Sequence, residues 1–150
     1  STHLGPAKAR LFVYMMLNKS VYNNLAMCAF MPYSLDMLVE QVKAVTGWNV
    51  SNWEILKATE RSLAMARAFN AMAGFSASDD MLPQRFFEPL EGGALQGQRI
   101  DKDEFLATRE LVYDMLGWDR QSAAPKRWKL YELGLEWVAE QMQQRNCLVV

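Results

Sequence analysis

Between Ser51 and Gly74 neither proline nor glycine interrupts the chain, and the stretch opens with Ser51 followed three places later by Glu54. That pairing is a capping box, in which each side chain can satisfy a backbone amide the other leaves open. A chain built this way must fold around one long helix, from about Asn52 to Ala73. Ile55, Ala58, Ser62, Met65, Phe69 and Met72 form its apolar stripe, and Gly74 ends it.

The same punctuation recurs on both sides. From Ala7 to about Leu25 the spacing of Leu11, Tyr14, Met15, Val21 and Leu25 predicts a first helix. Pro32 stops the short apolar segment that follows, and Ser34 caps a helix with Leu35, Leu38, Val42 and Val45 as its stripe. Gly47 closes that one. Asp101 with Glu104 repeats the capping-box logic for a helix to about Leu116, stopped by Gly117. Pro125 suits the first position of a short helix to Leu133, and Gly134 sets off a last one to about Gln144.

Strand-like alternation is nowhere sustained. From Phe75 to Ile100 helical periodicity fails too, with Pro83, Pro89, Gly92, Gly93 and Gly97 marking an irregular excursion. Loops of that length are often functional or packed on another domain. The expectation is an all-α, irregular multi-helix domain of five or six helices, residues 1–150 as a single helical domain, with a long loop at about 75–100.

Charge removes several function classes. Sixteen basic residues against seventeen acidic ones leave −1, which supplies neither the basic face nucleic acid needs nor a polybasic membrane anchor. No apolar run reaches the roughly 18 residues of a membrane span. The opening Ser1-Thr2-His3-Leu4-Gly5-Pro6 lacks the charged start and apolar core of a signal peptide. Two cysteines, Cys28 and Cys147, make no disulfide framework, so the expected compartment is the reducing cytoplasm.

Few residues could carry chemistry. Phosphate-binding, hydrolase and zinc-protease signatures are absent. His3 is the sole histidine and lies at the terminus, so it reads as a solvated tail more readily than as a ligand or base. Asp79 and Asp80 could hold a cation or act as an acid/base pair, but turn and cap duties between Ser76 and Pro83 explain them as well. Cys28 in its apolar loop is a small buried hydrophobe or a metal ligand. Glu60 and Arg67, two turns apart on one helix face, either orient the domain or pin the Phe75–Leu90 loop, whose backbone groups need partners. Cys147 stands in the apolar tail Asn146-Cys147-Leu148-Val149-Val150, which could dock into the core or onto a neighbouring domain.

Three stretches together change the weight of these readings. The first runs Glu60-Arg61, Arg67-Ala68-Phe69-Asn70, Gly74-Phe75-Ser76, Asp79-Asp80, Leu82-Pro83 and Arg85. The second is Leu116-Gly117-Trp118-Asp119, then Pro125, then Leu133-Gly134-Leu135-Glu136. The third is Leu25-Ala26-Met27-Cys28-Ala29-Phe30, followed by Thr46-Gly47-Trp48. In this order and spacing, from about Lys8 to Met142, they resemble the C-terminal region of the aldehyde ferredoxin oxidoreductase family.

The resemblance implies a C-terminal fragment of a larger enzyme with a tungsten (or molybdenum) bis-pterin beside a 4Fe-4S cluster. Such an enzyme oxidises a small aldehyde to the carboxylic acid and passes electrons to ferredoxin. By resemblance Cys28 is the fourth cluster ligand, the other three thiolates coming from an upstream CxxCxxxC run in N-terminal domains that this chain lacks. The isolated piece is then expected to hold no cofactor and to be inactive. Leu25, Met27 and Phe30 would give the cluster thiolate its water-poor setting. The family's pterin-contacting aspartate falls on Asn23, its glycine on Ala26 and its leucine on Met27, so these three are the expected cofactor-binding positions. Asparagine keeps an acceptor and adds donors without the charge, and alanine adds a methyl group where the backbone is expected to need either a positive φ or a close approach. Ser122 or a neighbour replaces a family glycine, and Lys126 a threonine after the proline. The last two positions read as structural, whereas the departures at Asn23, Ala26 and Met27 keep a second reading open, a non-catalytic helical interaction module descended from the family. A surface cut away from its neighbours should also be apolar, so the piece is expected to self-associate as a homo-oligomer.

Overall fold

The computed structural model describes residues 3–150. Ser1 and Thr2, on which the reading of the leader partly rests, lie outside the described residues. Among the described residues are six α-helices: α1 (Pro6–Asn24), α2 (Leu35–Thr46), α3 (Asn52–Met72), α4 (Lys102–Leu116), α5 (Arg127–Glu132) and α6 (Glu136–Gln144). Two single turns of 3-10 helix, Ala77–Asp79 and Gln84–Phe87, punctuate the long loop. Strand pairing among these residues is confined to isolated bridges, Trp118 with Pro125 and Lys126 with Val149.

Local chemistry sets most helix ends. Ser34 accepts from the Met37 amide at the start of α2, and Gly47 ends that helix at φ 72°. Ser51 and Glu54 form the reciprocal box at the start of α3. Asp101 accepts from the Glu104 amide at 2.9 Å, but the box closes on one side only. The Glu104 carboxylate turns instead to the Leu4 amide at 3.3 Å and to His3 Nδ1 at 3.5 Å, because the chain entering α1 lies beside it. Gly117 ends α4 at φ 69°, and a Cβ there would come within 2.8 Å of the Trp128 ring. Here both conformation and space exclude a side chain.

Two expected helix features differ. Helix α5 begins at Arg127, not at Pro125. The Lys126 amide donates to the Gly117 carbonyl and the Asp119 amide to the Ala124 carbonyl, so Pro125 is drawn into the 118–125 loop. The buried face of α3 is carried by Thr59, Ala64 and Ala68, while Phe69 is 67% exposed. This helix is flanked by α1, α2 and α6, and small side chains allow that close approach.

The core is three clusters. Ala64, Ala68, Leu130, Leu135, Val138 and Met142 join α3 to α5 and α6, with Cys147, Leu148 and Val149 docked against them. Val13, Ala77, Tyr113, Leu116, Trp118 and Ala123 join α1 to α4 and the loops. Val21, Tyr22 and Leu38 join the end of α1 to α2.

Candidate functional site

The turn that leaves α1 is a Schellman motif. The Met27 amide donates to the Tyr22 carbonyl at 2.8 Å and the Ala26 amide to the Asn23 carbonyl at 3.1 Å. This pattern requires a left-handed residue between them, and Ala26 occupies that place at φ 53°. Glycine is the usual occupant, because a Cβ there meets the following carbonyl.

Beyond the motif, the Met31 amide donates to the Cys28 carbonyl at 3.2 Å and closes a second turn. The buried Tyr22 hydroxyl donates to the Tyr33 carbonyl at 2.5 Å, tying the far end of the segment back to α1. Cys28 is thus carried on a short loop fastened at both ends. Sequence reasoning did not single out Tyr22, whose partner lies eleven residues on.

Asn23, Ala26 and Cys28 are all exposed on this one turn, whereas Met27 faces inward with Leu25 against Val21, Tyr22 and Leu38. The expected apolar shell around Cys28 is therefore not supplied by this chain. Leu25 and Met27 are drawn into the core, and Phe30 is 97% exposed. Nor is Cys28 the small buried hydrophobe that its loop suggested. Below the turn a cleft of about 420 Å³ is lined by Leu25, Met27, Val42, Val45, Trp48 and Thr59.

Among the described residues no group of three or more His, Cys, Asp or Glu side chains is arranged to hold a metal ion. Cys147 cannot complete a set with Cys28 within one site, since its thiol donates to the Met142 carbonyl in the docked tail. What the chain offers is a surface thiol, Cys28, and an exposed carboxamide, Asn23, carried on the same turn. That fits one edge of a site whose remaining ligands come from elsewhere.

The acidic pair Asp79–Asp80 is divided between separate duties. Asp79 caps its own turn, accepting from the Ser76 amide at 2.8 Å. Asp80 receives the Arg67 guanidinium on both oxygens and the Tyr113 hydroxyl at 2.5 Å. Burial first, then the bond to Asp80, pushes the Tyr113 phenol well above its ordinary range, so it stays protonated and donating. Arg109 adds a bond to the Ala77 carbonyl at 2.6 Å. Loop positioning, not acid/base chemistry, accounts for this group.

Glu60 does not share that role. It accepts from Lys129 at 2.6 Å and Lys57 at 2.7 Å, and Glu132 completes the network. It therefore joins α3 to α5, and of these two residues of α3 it is Arg67 that reaches the long loop.

Residues 1–135 match the family described as aldehyde ferredoxin oxidoreductase, domains 2 and 3. The tungsten-containing aldehyde ferredoxin oxidoreductase of Pyrococcus horikoshii is 31% identical over 137 residues, covering 89% of this chain and 22% of the relative. Its counterpart in Pyrococcus furiosus is 30% identical, covering 85% and 21%. A further Pyrococcus furiosus protein, an aliphatic sulfonate oxidoreductase subunit, is 25% identical over 126 residues. The chain thus spans about a fifth of the length of the curated relatives it matches. In fold it is similar to a chain of the active site complex BamBC of benzoyl coenzyme A reductase, with a TM-score of 0.77 at 19% identity over 95% of this chain and 21% of that one. With its helical architecture and a match over most of its length, this chain belongs to the aldehyde ferredoxin oxidoreductase family.

Proposed function

We propose that this chain is the C-terminal helical part of a tungsten (or molybdenum) pterin and iron-sulfur oxidoreductase. The reaction takes a small aldehyde and water to the carboxylic acid, releasing two protons and two electrons, the electrons passing one at a time to ferredoxin. When bound, the pterin metal would take up the electron pair and the 4Fe-4S cluster would relay it. Cys28 contributes the fourth cluster thiolate. Asn23 faces the pterin with its carboxamide, and the Ala26–Met27 backbone shapes that edge. The N-terminal domains supply the remaining ligands, so the isolated piece is inactive. A cytoplasmic location, where thiols stay reduced, belongs to the same reading.

The observation that carries it is the fastened turn, which leaves both Asn23 and Cys28 exposed instead of burying them. A thiol that ligates a group held by another domain must be exposed on its own.

Metal analysis of the full native chain, purified without oxygen, tests it. About four irons and one tungsten or molybdenum per chain are expected, with iron content reduced by Cys28→Ala. Circular dichroism of that variant should stay unchanged. A native chain that is metal-free where a known relative loads fully would favour the non-catalytic module, the reading that Asn23 and Ala26 in place of aspartate and glycine keep in view.

A further inference from the structure

The middle of helix α1, Leu11 to Leu17, is apolar on every side, and this chain covers only part of it. Ala9, Val13, Val21 and Tyr22 are buried, whereas Leu11, Phe12, Tyr14 and Met15 are 58%, 56%, 59% and 49% exposed. The exposed residues include three of the stripe expected to be buried. A helix apolar on all sides belongs to an interior, not to a surface.

The uncovered side is also concave. Phe12 and Met15 stand on one wall of a cavity of about 690 Å³ between α1 and α4, opposite Phe105 and Val112. Leu4 lines it too, so the residues leading into α1 run along this groove. Four-fifths of the length of each curated relative lies outside the matched region. At its other end α1 leads into the Cys28 turn, where Phe30 stands 97% exposed. One covering body could close the groove and supply the apolar shell that Cys28 lacks here.

We infer that the α1–α4 groove is the seat of the N-terminal portion of this same protein, which packs an apolar surface against Phe12 and Met15. A tethered segment competes at an effective concentration near millimolar, far above that of a free second copy. The inference rests on the reading of this chain as the C-terminal part of a larger one, and it names the surface by which the two parts join.

Oxidative footprinting of the full native chain tests it, with Met15 as the reporter. At 49% exposure Met15 would oxidise at roughly half the rate of an unstructured methionine peptide. Coverage should slow it by at least about tenfold, at protein concentrations where sedimentation shows a monomer. A rate near one half would overturn the inference. Protection that disappears on dilution would overturn it as well, since a second copy would then be the occupant. Metal content measured on the same sample separates the two proposals. Protected Met15 in a metal-free chain keeps this inference and sinks the oxidoreductase reading, while exposed Met15 in a loaded chain does the reverse.

Discussion

Arg67 on α3 grips Asp80 with both ends of its guanidinium, Nη1 donating to Oδ1 at 3.1 Å and Nη2 to Oδ2, while its Nε donates to the Ala123 carbonyl at 2.8 Å. One side chain thus fastens two loops to one helix. The Tyr113 and Trp118 rings stand against the same guanidinium.

Lysine cannot reproduce that fork, since a single ammonium offers neither the bidentate geometry nor the third bond in the right direction. Arg67→Lys is expected to cost about 2 kcal/mol, given that the pair is only partly buried. Tyr113→Phe, which removes one bond to Asp80, should cost about 1 kcal/mol. Thermal unfolding followed by circular dichroism measures both. An Arg67→Lys protein that melts with the parent would show that the two loops are held by other contacts.

Ala26 holds a left-handed conformation that glycine adopts without strain. Ala26→Gly is therefore expected to stabilise the chain by about 0.5–1 kcal/mol, after the entropy glycine adds to the unfolded state. Urea unfolding reads the gain, and the rate of Cys28 alkylation should stay the same because the turn is preserved. A loss of stability of similar size would mean that the turn does not need a positive φ.

Glu132 accepts from Lys57 at 2.6 Å and from Lys129 at 3.0 Å. The Lys57 bond, with Lys129 adding to it, holds its carboxyl below the ordinary value near 4.5. A depressed carboxylate contributes stability that is fully present above its unfolded value and is lost as pH falls through the folded one. Stability should therefore decline as pH drops below about 4.5. Glu132→Gln should flatten part of that decline, by on the order of 0.5–1 kcal/mol for a partly exposed network. Asp119 adds to the acid limb in the same direction, held down chiefly by the Ser122 amide. Urea midpoints of parent and variant between pH 3 and pH 6 provide the check, and parallel curves would remove Glu132 from the account.

Helix starts and stops were legible in the residues themselves. Ser34, the Ser51–Glu54 pair, Gly47 and Gly117 act on partners within four positions, so no distant element is needed to recognise them. At Ala26 the hint came from the resemblance instead, which sets alanine where the family has a glycine; that left a positive φ or a close backbone approach open, and the turn adopts the positive φ. A second strained alanine, Ala123 at φ 54°, falls where Ser122 or a neighbour replaces another. Tertiary packing decided what each face meets. Apolar spacing proposed Leu11, Tyr14 and Met15 for the core, yet α1 turns Ala9, Val13, Val21 and Tyr22 to this chain and leaves those three outside. Glu60 and Arg67 lie on one helix face but go to α5 and to the long loop respectively. Cys28 looked shielded by its apolar neighbours, yet the pull of the Val21–Leu38 cluster on Leu25 and Met27 leaves it exposed. Period and spacing describe a helix in isolation. Burial depends on elements tens of residues away, and only their packing selects which apolar face is covered.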